Sequence, residues 1–308
     1  MATIDLDQML VKIRGSQWAL ADFDWDAPGA ELITPEQFPK LKAFMADLMW
    51  IEHVGARGFA AMVKKAPDDT LKEIYRYFHA EEQRHANAEL ALMRRWGMLD
   101  GDELPEPNVN LRFVIEWLDR YSDDMPLEAL SSVIPMLEVA LDGALCKFLL
   151  ETVDDPVCHA VFAKINEDES RHLGVGFHTL EMQGHGPMYR LLLQWAGTTL
   201  DPRLILGILA YFPLLNRMRD NLVRLGLPEE KLYGAMKKFE KIGGRTEQGR
   251  RNPWYQVLSR HGKVMVDRRN RWYHAPVDAL VAASDYVPAW ALPAVPTWVK
   301  AVTWKPEA

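Results

Sequence analysis

Two five-residue runs carry most of the chemistry open to this chain. Glu81-Glu82-Gln83-Arg84-His85 and Asp168-Glu169-Ser170-Arg171-His172 share one pattern: an acid, a Glu, a variable residue, an Arg and a His. In each run the Glu and the His are three residues apart, so on a helix they share a face and can hold a common ion. An isolated glutamate precedes each run, Glu52 by 30 residues before Glu82 and Glu138 by 31 before Glu169. Glu52, Glu82, His85, Glu138, Glu169 and His172 thus make a set of six oxygen and nitrogen ligands. That inventory suits two divalent ions about 3.5–4 Å apart, bridged by carboxylates. Four carboxylates gathered in a core without cations would carry a severe desolvation cost. Carboxylate and imidazole donors without thiolate suit iron or manganese better than a structural zinc.

One Glu-x-x-His arises readily by chance in a chain with nine histidines. Two copies that also agree in the flanking acid, the Arg and the upstream Glu do not. Ligating imidazoles usually donate their second ring N–H to a carboxylate. Glu81 and Asp168 are the candidates for that support, with Arg84 and Arg171 balancing charge. Asp142, four residues after Glu138 and on its face, is a candidate catalytic group that relays protons or binds substrate. A solvated or salt-bridged Asp142 is an equal alternative. His79, three residues before Glu82, is a candidate extra ligand, although a core or surface histidine is the simpler account.

These side chains need long helices to position them, and the sequence supplies the signals. Apolar residues recur near a period of 3.6, and no alternating Val/Ile/Thr-rich run appears. After an irregular stretch from Asp22 to Gly29, Thr34-Pro35-Glu36-Gln37 forms a capping box for a helix that carries Glu52 to about Lys65. Pro67-Asp68-Asp69 opens the next helix, which carries Glu82 and His85 and stops near Gly97. A shorter crossover helix spans about Leu111 to Tyr121. A fourth starts near Pro126 and carries Glu138, with Pro135 inside it. A fifth opens at Asp154-Asp155-Pro156 and carries Glu169 and His172 toward Gly184. Further helices are expected over Met188–Ala196, Pro202–Leu225 and Pro228–Ile242. The Leu204–Leu215 run is too short to span a bilayer and reads as a buried helix. The tail from Pro276, which interleaves prolines with tryptophans, is expected to wrap onto the bundle or a partner subunit. The expected fold is therefore all-α. Residues 1–34 form an extension, 35–184 a four-helix bundle with a crossover connection, and 185–308 a helical region packed on the bundle.

The motif pair and its upstream glutamates resemble the ferritin-like di-iron carboxylate superfamily. The pair is most similar to that of the soluble acyl-carrier-protein desaturases and the bacterial di-iron monooxygenase hydroxylases. The resemblance covers about residues 35–184. It implies that Glu52, Glu82, His85, Glu138, Glu169 and His172 ligate two iron ions (or manganese and iron), with Glu82 or Glu138 as a bridge. The expected function is an oxygen-activating oxidase or oxygenase that hydroxylates, desaturates or N-oxygenates an apolar organic substrate. The alternatives are a ferroxidase or iron/manganese storage protein, which needs about half this length, and a metal-retaining scaffold without turnover. Two departures stand out. Leu141 and Asp142 occupy the positions where many oxygen-activating members carry a hydroxyl residue, and no tyrosine stands close in sequence to a ligand.

Composition narrows the partners. A formal net charge of −7 argues against general nucleic-acid binding. Cys146 and Cys158 cannot by themselves ligate an iron–sulfur cluster, and no Gly-rich nucleotide fingerprint is present, so electrons would come from a separate ferredoxin or reductase. A cytoplasmic homodimer without a membrane span is the expected state.

Overall fold

In the computed structural model, which describes residues 4–141, 147–182, 202–226 and 228–295, every regular element is helical and no strand occurs among the described residues. The helices that bear the motifs are α2 (Phe38–Val63), α3 (Asp69–Arg95), α5 (Leu127–Leu141) and α7 (Pro156–Met182). Helix α2 packs on α3, α3 on α7, α7 on α5 and α5 on α2, closing a ring of four. Helix α4 (Val109–Tyr121) lies between the two pairs in sequence and rests on α2.

The starts and stops follow local chemistry. Thr34 and Gln37 make the reciprocal capping box: the Thr34 backbone N–H donates to Gln37 Oε1 at 3.0 Å and the Gln37 N–H to Thr34 Oγ1 at 3.3 Å. This turn precedes the helix proper, so α2 begins at Phe38, later than the box alone suggests. Asp68 caps α3 by accepting from the Leu71 N–H at 2.8 Å. Gly97 then ends it with φ +66°, a conformation that costs glycine little. Asp155 does the same service for α7, accepting from the Val157 N–H at 3.0 Å.

On α3 the buried stripe reads Leu71, Ile74, Tyr75, Phe78, then Glu81, Glu82, His85 and Glu89, then Leu92 and Met93. Apolar side chains at these positions would each contribute about 1.5–3 kcal/mol on burial. Two helical turns of ionisable groups stand there instead. Helix α7 repeats the switch, with Val161, Phe162 and Ile165 giving way to Asp168, Glu169 and His172 before Val175 resumes.

Three features differ from the expectations. A helix not anticipated, α1 (Leu6–Gly15), packs on α3 and buries Ile13 completely. A short α6 (Lys147–Thr152) precedes α7. The Leu204–Leu215 run lies in α8 (Pro202–Leu225), which is not buried all round: Leu214 and Leu215 are in the core, whereas Leu206 and Leu209 are about half exposed. The helix expected over 188–196 lies outside the described residues.

The C-terminal helices are α9 (Glu229–Gly243), α10 (Glu247–Arg251), α11 (Pro253–Val266) and α12 (Arg271–Ser284), with Pro276 inside α12. Helix α8 rests on α4 and α2, α9 and α11 on α5, α10 on α7, and α12 on α8. A buried carboxylate ties this region to the bundle. Asp47 of α2 accepts hydrogen bonds from Asn108 Nδ2 and from Asn221 Nδ2 of α8, each at 2.7 Å. No helix is long and apolar enough to cross a membrane among the described residues.

Candidate metal centre

Glu52 from α2, Glu82 and His85 from α3, and Glu169 from α7 each offer a ligand atom, and these atoms lie within 4.8 Å of one another. All four residues are buried. His172 joins them. Its Nδ1 lies 3.1 Å from Glu82 Oε1 and 3.2 Å from Glu169 Oε2. His85 Nδ1 lies 3.0 Å from Glu169 Oε1 and 3.4 Å from Glu52 Oε2. Glu169 therefore spans the two imidazoles, one oxygen toward each.

The far side of each ring is held by the other motif. His85 of α3 meets Asp168 of α7, with Nε2 to Oδ2 at 3.0 Å, and His172 of α7 meets Glu81 of α3, with Nε2 to Oε2 at 3.0 Å. A carboxylate on Nε2 keeps a proton there and directs Nδ1 inward. Glu81 and Asp168 thus occupy the supporting positions expected of them, but across the helix pair. Arg171 donates to both, to Glu81 Oε1 at 3.2 Å and to Asp168 Oδ1. Arg84 acts at one remove. Its Nη2 donates to Gln17 Oε1 at 2.6 Å, and Gln17 Nε2 donates to Glu81 Oε1 at 2.6 Å.

Gln17 and Trp18, just after α1, complete the surroundings. Trp18 Nε1 donates to Asp168 Oδ2 at 2.8 Å, and its ring lies parallel to the His85 imidazole with centroids 6.2 Å apart. The Arg84 guanidinium sits over the same indole at 5.2 Å. Phe59 and Phe78 pack on His172 with centroids at 5.1 and 4.2 Å. Aromatic walls thus flank both imidazoles.

Gly55 explains how α2 and α3 approach here. A Cβ at this position would overlap the Glu82 carboxylate and lie 2.7 Å from its Cδ. The small residue after Glu52 is therefore occupied space, filled by Glu82 itself.

The electrostatics are those of a charge-rich core. Burial, then the neighbouring Glu169 and Glu52, push the Glu82 carboxyl well above the usual carboxylate range. Burial also acts against charge on Glu169 and on both imidazoles, but their mutual contacts outweigh it. Glu169 is held low by His172 and His85, and His85 and His172 are pushed well up by the carboxylates around them. His85 Nδ1 and Glu169 Oε1 nevertheless lack a hydrogen bond of acceptable geometry although 3.0 Å apart. Buried donor atoms that converge without pairing fit a cation better than one another. The set could hold a metal ion.

Of the other candidates, Glu138 falls within α5, and its side chain, like those of residues 135–141 as a group, lies outside what is described. Asp142 also lies outside the described residues. His79 is turned to other partners: Nδ1 meets the Ala56 carbonyl at 2.8 Å, and Nε2 meets the Gln83 side chain at 3.0 Å. It does not join the cluster. Glu89 was not anticipated from the sequence. It is wholly buried one turn beyond His85, and burial and then Glu52 push its carboxyl well up. Its place seven residues after Glu82, on the same helix face, is the signal that could have revealed it.

No protein-family model, curated protein or solved structure matches this chain.

Proposed function

We propose that the chain is a non-haem di-iron oxidase or oxygenase acting on an apolar organic substrate. One observation carries the reading. Two Glu-x-x-His motifs from α3 and α7 meet face to face in the core, with each imidazole's Nε2 held by the other motif's acid and each Nδ1 turned to shared glutamates. Glu52, Glu82, His85, Glu169 and His172 would hold the ions, with Glu138 of α5 as the sixth ligand. When bound, a pair of iron ions (or manganese and iron) supplies the reduction of dioxygen that oxidises an organic C–H or N–H group.

The protein's own residues do the rest. Asp168 and Glu81 keep a proton on Nε2 of each histidine and fix the ring planes, so that Nδ1 is the available donor. Arg171 offsets the two supporting anions. Trp18, Phe59 and Phe78 exclude water from both imidazoles, which strengthens every electrostatic contact inside. The helices after residue 200 are not needed by a minimal four-helix metal site and supply walls for an apolar substrate pocket. Electrons come from a separate ferredoxin or reductase.

Anaerobic addition of ferrous iron followed by oxygen, with metal analysis and absorbance spectra, tests this. Two ions per chain and an oxygen-dependent spectral change are expected, and both should vanish in Glu169→Ala and Glu138→Ala. Fewer than two ions in the unaltered protein sinks the two-metal site. Many ions per chain in a large assembly favours storage. Oxygen uptake that no member of a broad apolar library accelerates counts against an oxygenase.

A further inference from the structure

Glu89 is the one acid of the α3 stripe with no role in the pairings above. Both carboxylate oxygens are shut off from solvent, and neither has a hydrogen-bond donor among the described residues. Such a group is rare, because an unpaired buried anion costs several kcal/mol by the usual order of magnitude. Its direction is set by the helix. Side chains on a helix lean toward its N-terminus, so Glu89 leans over the turn that carries His85. The charged groups that it feels are Glu52 first, then His85, Glu82 and Glu169, all members of the cluster. Cys158 of α7, itself buried, feels the charge of Glu89 in turn. No arginine or lysine pairs with it among the described residues.

On the reading that this centre binds metal, we propose that Glu89 is a further carboxylate ligand, drawn into the site when metal enters. The residues whose ligand atoms already converge, Glu52, Glu82, His85 and Glu169, do not include Glu89. Three side-chain torsions let a glutamate swing, and the unpaired oxygens give up no hydrogen bond in doing so. A centre with this extra acid on the Glu52 side would carry five carboxylates and two imidazoles, and so favour more highly charged ions.

Glu89→Gln separates this from a neutral buried acid, because glutamine copies the shape of a protonated glutamate and lacks only its anionic oxygen. Metal-free protein, unaltered and E89Q, is titrated with manganese(II) by equilibrium dialysis with metal analysis, and the loaded samples are compared by electron paramagnetic resonance. The expected result is two ions per chain in the unaltered protein. In E89Q at least one ion should bind roughly tenfold to a hundredfold more weakly, with a changed manganese spectrum. The melting temperature of metal-free E89Q should equal or exceed that of the unaltered protein. Unchanged affinity and spectrum in E89Q would overturn the assignment and leave Glu89 a protonated core residue. A lower melting temperature of metal-free E89Q would overturn it too, since the loss would then be one of folding. An unaltered protein that takes up no manganese or iron fails at the level of the centre itself.

Discussion

Each histidine of the cluster is held among three acids, one of which fixes its outer Nε2 while two share its inward Nδ1. That division sets what single substitutions should do. Asp168→Asn and Glu81→Gln keep size but weaken the acceptor on Nε2, and each is expected to lower metal affinity roughly 10–100-fold without removing a ligand. Dialysis against ferrous iron or manganese(II) measures this, and unchanged affinity in both variants would show that the crosswise contacts are incidental. Gly55→Ala acts by crowding. The new methyl meets the Glu82 carboxylate, so overpacking is expected to cost about 1–3 kcal/mol in a urea melt and to displace a ligand as well. Loss of metal with little loss of stability would locate the effect at Glu82. Wild-type metal stoichiometry and stability together would contradict the close approach.

At the scale of elements, one acid joins the end of α3 to the start of α7. Asp155 accepts from Arg95 Nε at 2.8 Å, from Trp96 Nε1 at 2.8 Å and from the Val157 N–H. Arg95 also donates to the carbonyls of Trp25 and Ala27, so the N-terminal segment is pinned at the same point. Asp155→Ala leaves the Arg95 guanidinium without its counter-anion and uncaps α7, and is expected to cost about 3–5 kcal/mol in chemical denaturation. A loss below 1 kcal/mol would mean that the node is dispensable. This level of organisation was partly legible in the sequence. Caps such as Thr34 with Gln37, Asp68 and Asp155 act on residues two or three positions away, so helix starts can be read locally. Pairing between helices cannot. Nothing near His85 says that its partner is Asp168, 83 positions on, or that Gln17 and Trp18, just after α1, close the site. The Glu and His of each Glu-x-x-His pair share one face of their own helix, α3 or α7, and that was visible because a spacing of three residues is itself local. Glu89 lies on the same face of α3 as Glu82 and His85 but belongs to neither motif.

For the whole molecule, the C-terminal helices offer a pH-dependent reporter that is not a member of the Glu/His cluster. His261 of α11 is buried, stacks on Phe212 with centroids 3.8 Å apart and meets the Tyr273 hydroxyl at 2.8 Å. Burial pushes its imidazole down to about 4. The unfolded chain, with a histidine near 6.5, therefore takes up the proton first, so stability falls as pH drops from about 6.5 to about 4. Between pH 7 and 4.5 this group should cost roughly 2–3 kcal/mol. His261→Phe should flatten the pH dependence by that amount in urea melts, whatever its effect at neutral pH. An equally steep dependence in the variant would refute the buried neutral state.

The crosswise acids have one more consequence. Because α3 supplies the anchor for the histidine of α7, and α7 the anchor for the histidine of α3, neither helix pair is a self-sufficient half. A fragment ending before residue 142 and one starting after it would each hold a histidine free to rotate. The two lose their grip separately and regain it only together. A defect in one motif is therefore felt first at the histidine of the other.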